Sequence, residues 1–555
     1  MRFHTSSLAF SILAVMATNT FAQSEQQEDT SSSALVLPKI KIQAEKQEKN
    51  SYAAKTAATV LRSNAPLFET AQSISVVTNQ QIEQKQAKTI SEALEGVAGV
   101  SSGQYGRRGW DDFIIRGQIS SSQTYIDGLR VQTSDNVLRA EDISGLESIE
   151  VVKGPTSVGF GFALPGGLVN LTTKRPQAET SYRGTLSYGS YNLREGTFDI
   201  NYAPNSTEKG AFRLVGRVSD QDDPTDYVYF KNYYIAPSYN FDLGEKDDLS
   251  VIASYQHREY VRQQGIPHGN SSTYKSYSHN LFFGEPDHGY NVNVYRAGAN
   301  YAHYFDNWTY KQNFAVTKTD TQGDAVLAVS NTTLPTIKRA VNNQDKQDIN
   351  YTLDSNLQRN FNFGGVNYNV MVGLDMMKER SDYYRRTDTI NSFNADHPNY
   401  SIQTGEQKTK GFEAEMAASL TDQWNAFATY SYIPTAKVTE SVTASEIGKR
   451  ANHVPKNAGT LSTQYYFSPD KLGWNMGVGI RYQGLRTAQR GTAFIELPSY
   501  TVFDVNAGYE AKNWGAGLAI KNLFDREYLA GTTPNAQLVN WGDPRMIRLN
   551  VKFKY

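Results

Sequence analysis

Cysteine is absent from all 555 residues, which excludes a disulfide scaffold, thiolate zinc sites and cysteine nucleophiles. After residue 22 no run of 18 apolar residues occurs, so crossing a membrane with helices is excluded. Charge of either sign is balanced, 55 Lys+Arg against 56 Asp+Glu, and that removes any bulk electrostatic case for nucleic acid. The eight His are scattered, and no Gly-x-Ser-x-Gly elbow, His-Glu-x-x-His or phosphate loop is present. No enzyme, resident cofactor or protein-held metal is expected. What the chain does have is 12% aromatic residues, 35 of them Tyr, at a mean hydropathy of only −0.54. Tyr, with an apolar ring and a polar tip, suits a membrane–water interface. A large soluble Tyr-rich β protein would share that composition.

The N-terminus starts with Arg2 and His4, continues as an apolar run from Leu8 to Met16 and ends in Thr20-Phe21-Ala22. That is the layout of a secretory signal over 1–22, cut after Ala22. Residues 23–59 are expected to be mostly disordered, being rich in Ser, Gln and Glu. Within them Leu37-Pro38-Lys39-Ile40-Lys41-Ile42 reads as an isolated extended segment, either a linker or a strand to be added to another protein's sheet.

Residues 60–176 read as a mixed α+β domain of about 120 residues. Strands are expected at Ser73–Val77, Phe113–Arg116, Gln123–Ile126 and Ser148–Val152, with a short helix at Thr89–Leu94. From about residue 180 to the end, strict period-two alternation gives each strand one apolar and one polar face. We count sixteen strands, from 182–190 to 543–555, with 365–385 and 404–420 in the middle. Alternate connections are very short, such as Asp306-Asn307 and Gly364-Gly365, while many of the others are long, as at 262–289 and 386–403. Short turns at one end and long loops at the other, with aromatics near strand ends, describe an outer-membrane barrel. The fold class is therefore mainly β, a transmembrane antiparallel barrel over 177–555 with an N-terminal plug domain.

At this point the residues resemble a TonB-dependent outer-membrane siderophore receptor, most similar to the hydroxamate or ferrichrome type. The resemblance rests on the segment 37–42, resembling a TonB box, together with Ile115-Arg116-Gly117, Tyr125-Ile126-Asp127-Gly128 and Ile149-Glu150-Val151-Val152-Lys153-Gly154-Pro155. Pro165-Gly166-Gly167-Leu168-Val169-Asn170, Gly411-Phe412-Glu413-Ala414-Glu415 and Lys521-Asn522-Leu523-Phe524 continue it, and the chain ends in the aromatic Tyr555. Plugged transporters of this kind have 22 strands. Strand passages are accordingly missing between about Asp388 and Gly405. Closure of the first strand against the last is still expected, around a narrower lumen.

The resemblance implies import of a ferric siderophore, the cargo rather than a cofactor, by a monomer in outer-membrane lipid. Its energy would come from the periplasmic C-terminal domain of TonB, which would grip Leu37, Pro38, Lys39, Ile40, Lys41 and Ile42 by strand addition. Gln104, Tyr105, Arg107, Arg108, Trp110 and Gln123 would touch the chelate, offering donors to its oxygens and rings to its carbon face. Arg116 and Lys153 would latch the plug to Glu413 and Glu415, which are two residues apart and so share one strand face. Two rivals stand beside this reading. One is a passive porin-like channel, since sixteen strands is porin-sized; the other is a receptor disabled by internal deletion.

Overall fold

The computed structural model describes residues 52–62, 66–103, 111–131, 141–160, 163–204, 210–262, 265–267, 275, 277–328, 339–388, 405–441, 444–490, 493–533 and 538–555. The plug carries strands β1 (Ser73–Thr78), β2 (Val100–Ser102), β3 (Phe113–Ile115), β4 (Gln118–Ile119), β5 (Thr124–Ile126), β6 (Leu129–Arg130), β7 (Leu146–Lys153) and β8 (Gly167–Thr173). Helices α1 (Ala58–Leu61), α2 (Asn79–Gln84), α3 (Ile90–Leu94) and α4 (Ser157–Phe160) complete it. Its main sheet runs β1-β7-β8-β5-β6, antiparallel except for β5 beside β8. The Thr78 and Thr89 hydroxyls cap α2 and α3, accepting from Gln81 N at 3.3 Å and Glu92 N at 3.1 Å. Ile82, Ile90 and Leu94 can then pack on Val77, Phe113, Ile149, Val151 and Leu171. The β5–β6 hairpin turns on Asp127 and Gly128, both at positive φ, as a two-residue turn of matching twist demands.

Disorder was expected up to residue 59, but the fold begins earlier. Tyr52 is buried and its carbonyl accepts from Gln81 Nε2 at 2.8 Å, while Ala57 and Val60 join Val76, Tyr125, Val152 and Leu168. These apolar residues are too sparse in the sequence to announce themselves, and they are held by packing onto a surface built later in the chain.

The wall follows as β9 (Ser181–Gly189), β10 (Leu193–Tyr202), β11 (Ala211–Asp222), β12 (Tyr229–Asp242), β13 (Asp247–Tyr260), the short β14 (Ile266–Pro267), β15 (Tyr290–Tyr304), β16 (Thr309–Ala328), β17 (Arg339–Phe363) and β18 (Val366–Asp388). Its second half is β19 (Gly405–Thr421), β20 (Trp424–Ser441), β21 (Asn457–Tyr466), β22 (Gly473–Gln483), β23 (Arg486–Arg490), β24 (Ala493–Leu497), β25 (Tyr500–Glu510), β26 (Trp514–Lys521), β27 (Leu529–Thr532), β28 (Leu538–Trp541) and β29 (Met546–Lys554). Sixteen of these form one antiparallel sheet; β14, β23, β24, β27 and β28 make small sheets of their own in the long loops. The wall is inside-out relative to a soluble protein. Leu186, Val218, Ile235, Leu461, Leu549 and Phe553 are exposed, whereas Arg213, Arg217, Asn232, Gln256, Arg296 and Arg548 are buried. An apolar exterior around a polar interior is the arrangement lipid requires.

First and last strands do pair. β9 meets β29 from Gly189↔Arg548 to Arg183↔Lys554, and Tyr182 and Tyr555 exchange both backbone hydrogen bonds at 2.9 Å. Among the described residues the narrower barrel expected from the sequence is not closed. The sheet order begins at β18 and ends at β19, and among the described residues these two strands pair with nothing on their outer edges. The opening lies where the strand passages are missing. β17 alternates cleanly, burying Asp348, Asn350, Thr352, Asp354 and Asn356, whereas every residue of β18 from Tyr368 to Met376 is exposed. The plug is bonded to both edges, to β18 through Arg62–Asp375 and to β19 through Arg116–Glu413. Inside hydrocarbon each unpaired backbone group costs several kcal/mol.

Candidate functional site

The plug grips the wall through charge pairs, and four of the residues singled out in the sequence are among them. Arg116 is not on a strand as expected. It occupies the β3–β4 turn at φ 50°, followed by Gly117 at φ 83°, and this swings its guanidinium outward to the wall. There it makes a two-pronged pair with Glu413 on β19, Nε to Oε1 at 3.0 Å and Nη2 to Oε2 at 2.8 Å. Lys153, at the end of β7, lies 3.5 Å from Glu415, which also accepts from the Ser75 hydroxyl at 2.6 Å and from Ala98 N at 3.4 Å. Gly99 makes the approach possible: a Cβ there would stand 2.2 Å from Glu413 Oε1, and its φ is +70°.

Other contacts were not anticipated. Arg62 holds Asp354 on β17 and Asp375 on β18, each at 2.8 Å. Glu92 takes Lys521 at 2.6 Å and Arg548 at 3.0 Å. Burial pushes the Glu92 carboxyl up, but the two cations overrule it and hold it well below the usual range. Asp142 accepts from Arg217 at 3.1 Å and Asn232 at 2.9 Å, Arg296 reaches Asp127 at 3.4 Å, and Lys88 bonds Glu195. The available signal was a charged residue at an inward-facing strand position, such as Arg213, Arg217 or Arg548. It names the wall side of each pair but not the plug partner.

Beyond these contacts, on the side of the long loops, a cavity of about 800 Å³ lies between plug and wall. Its plug side includes Ser101–Gly103, Asp111 and Asp142; its wall side includes Arg217, Lys231, Arg258 and Glu259. Aromatic residues line its mouth. His279 stacks on Trp541 at 3.9 Å and Tyr500 lies tilted against Tyr528 at 4.1 Å, with the Arg486 guanidinium 5.5 Å from the Tyr500 ring. Asp111, buried in the floor, is pushed up to about 6 by burial and by Asp112 and Asp142, with Arg258 opposing. Rings beside mixed charge can seat a bulky polar molecule with an apolar face. Among the described residues no group of three His, Asp or Glu is placed to hold a metal ion.

Gln104, Tyr105, Arg107, Arg108 and Trp110 lie outside the described residues, between two that line this cavity, Gly103 and Asp111. The signal segment and Leu37, Pro38, Lys39, Ile40, Lys41 and Ile42 lie outside them too. Gln123 is a correction. It is 1% exposed, its backbone bonds Ser120 and Val169, and it does not line the cavity.

Two family models match the chain. A TonB-dependent receptor plug domain matches residues 66–168, and a TonB-dependent receptor-like β-barrel matches residues 377–523. The chain carries the plug and the barrel of TonB-dependent receptors. A ferrioxamine receptor of Yersinia enterocolitica is 31% identical over 345 residues, covering 60% of this chain and 48% of the relative. The chain spans about half the length of the first curated relatives it matches. The metal-pseudopaline receptor CntO of Pseudomonas aeruginosa is 24% identical, covering 91% of this chain and 93% of itself. That alignment runs to 668 positions, more than the 555 residues present, so it passes over stretches this chain lacks. In fold, the ferric-catecholate import receptor Fiu of Escherichia coli K12 is similar at a TM-score of 0.74 and 19% identity, covering 89% of this chain and 98% of its own. The pyoverdine receptor FpvA of Pseudomonas aeruginosa reaches 0.78 at 17%, covering 91% and 98%.

Proposed function

We propose that this chain is an outer-membrane receptor that binds a ferric siderophore from outside and imports it into the periplasm with energy from TonB. The observation that carries the reading is the plug itself, bonded to strands around the wall, beneath a loop-side cavity of about 800 Å³ lined with rings and mixed charge. A porin has no use for a plug held by this many buried charge pairs. A bulky chelate cannot diffuse past such a plug, so something on the periplasmic side must pull, and the segment around Ile40 is the handle. The relatives' names support the cargo class: ferrioxamine, ferrichrome and catecholate siderophores. A chelate saturates its own iron with hard oxygen ligands, so the cavity needs donors and rings rather than metal ligands. The segment 104–110 carries further donors in its sequence, Arg107 and Arg108 among them. Export by the N-terminal signal, with cleavage after Ala22, delivers the chain to the outer membrane.

A second reading is favoured by the open edge between β18 and β19: the shortened receptor binds cargo without transporting it. Growth of an iron-starved receptor-null strain, complemented with this chain on single purified ferric siderophores, separates the two. Rescue by at least one chelate is expected. Chelate bound at the surface without growth on any would leave only the second reading.

A further inference from the structure

Among the described residues, β18 and β19 each turn a run of backbone N–H and C=O groups toward no strand. They span 23 and 17 residues, long enough to cross hydrocarbon, where nothing but another strand can satisfy those groups. In the membrane the edges must be covered. They cannot simply swing together, because the plug stands between them and is bonded on every side. Arg62 holds Asp375 on β18 at 2.8 Å, Arg116 holds Glu413 on β19 at 2.8 Å, and Glu92 and Asp142 hold Arg548 and Arg217 across the lumen. Direct closure would expel the plug and break all of these pairs.

We propose that the opening is filled by a second copy of this chain, related by a two-fold axis along the membrane normal. β18 of each copy adds to β19 of the other, and this replaces the monomer expected from the sequence. The edges are self-complementary, as a two-fold interface requires. As consecutive strands of an up-and-down series, β18 and β19 run in opposite directions. Rotation about the membrane normal preserves those directions, so the new ladders are antiparallel like the rest of the wall. The faces match as well. Val370, Val372, Leu374 and Met376 on β18 face outward with Phe412, Ala414 and Met416 on β19, while Asp375, Glu413 and Glu415 face the plug. Both ladders form together, so the assembly stops at two copies with no edge left. Ile119, beside the turn whose Gly117 carbonyl accepts from Gln407 on β19, is 47% exposed and would be covered by the facing plug.

The lack of native cysteine makes the test direct. Two differently tagged copies are co-produced in the outer membrane, one with Val372→Cys or Leu374→Cys, the other with Ala414→Cys or Met416→Cys. On mild oxidation at least one of the four pairings should give a disulfide-linked dimer that both tags retain. Copies carrying Ile235→Cys, on the outer face of β12, should stay unlinked. The unsubstituted chain in lipid nanodiscs should have the mass of two copies. A single chain carrying both cysteines that links only within itself would overturn the proposal in favour of direct closure. Absence of links in all four pairings, or a one-copy mass, would overturn it as well.

Discussion

Arg116 and Glu413 meet across the boundary between plug and wall as a two-pronged ion pair, with heavy-atom separations of 3.0 and 2.8 Å. The pair is possible because a residue at positive φ turns one partner outward and a glycine clears the path of the other. Two residues along β19, Glu415 does the same for Lys153 and Ser75. Together they fix the β19 edge to the plug.

Neutralising either carboxylate should loosen that edge, and by different amounts. Arg116 is 33% exposed at its side chain and water can take over part of its charge, whereas Lys153 is 3% exposed and cannot. Glu413→Gln should cost about 1.5–3 kcal/mol, and Glu415→Gln nearer the 3–5 kcal/mol of a stranded buried charge. Sensitivity of intact cells to large antibiotics, and protease cutting of the plug, should rise in that order. Equal behaviour of both variants and the unsubstituted chain would remove the latch.

Gly99→Ala should reproduce the Glu413→Gln defect without touching a charge. The added methyl group would sit 2.2 Å from Glu413 Oε1 at a backbone φ of +70°, so the carboxylate or the loop must move. Cells carrying Gly99→Ala that exclude antibiotics as well as the unsubstituted chain would show that the approach tolerates a side chain.

Asp111 sets a pH dependence on the cavity floor. Its folded pKa of about 6 lies above the ordinary 3.8, so the folded protein binds its proton more readily than the unfolded chain. Stability from this group is present below about pH 4 and is lost as pH rises through about 6. The shift corresponds to about 3 kcal/mol. Asp111→Asn should therefore raise the melting temperature at pH 7 and leave it nearly unchanged at pH 4. A gain of the same size at both pH values would show that the group is ionised throughout.

Ile40→Pro should abolish uptake while leaving surface binding of chelate intact, because proline removes a backbone donor from the strand that TonB would add to its sheet. Normal uptake by this variant at equal surface levels would exclude the segment as the handle.

Much of this molecule was legible in its sequence, for a physical reason. A lipid-facing wall forces every strand into strict alternation, and that signal is local. Fifteen of the sixteen strands, from 181–189 to 546–554, therefore lie within a few residues of where alternation puts them, while the strand expected over 514–528 ends at Lys521. Glu413 and Glu415 share the lumen face for the same reason. Pairing across space is not local. Nothing near Arg62 announces Asp354 and Asp375, about 300 residues away, and nothing near Glu92 announces Arg548. Gln123 was placed at the chelate by the resemblance alone, and its side chain is buried. The open edge was illegible too: the sequence counts strands, but which of them closes on which depends on the plug held between them.

The central claim is energised import of a ferric chelate, and radiolabelled uptake measures it most directly. Cells producing this chain as their sole siderophore receptor should accumulate one ferric siderophore when TonB is present. In an otherwise identical strain without TonB they should only bind it at the surface. Accumulation that persists without TonB and falls off with solute size would contradict the account and leave a passive channel in its place.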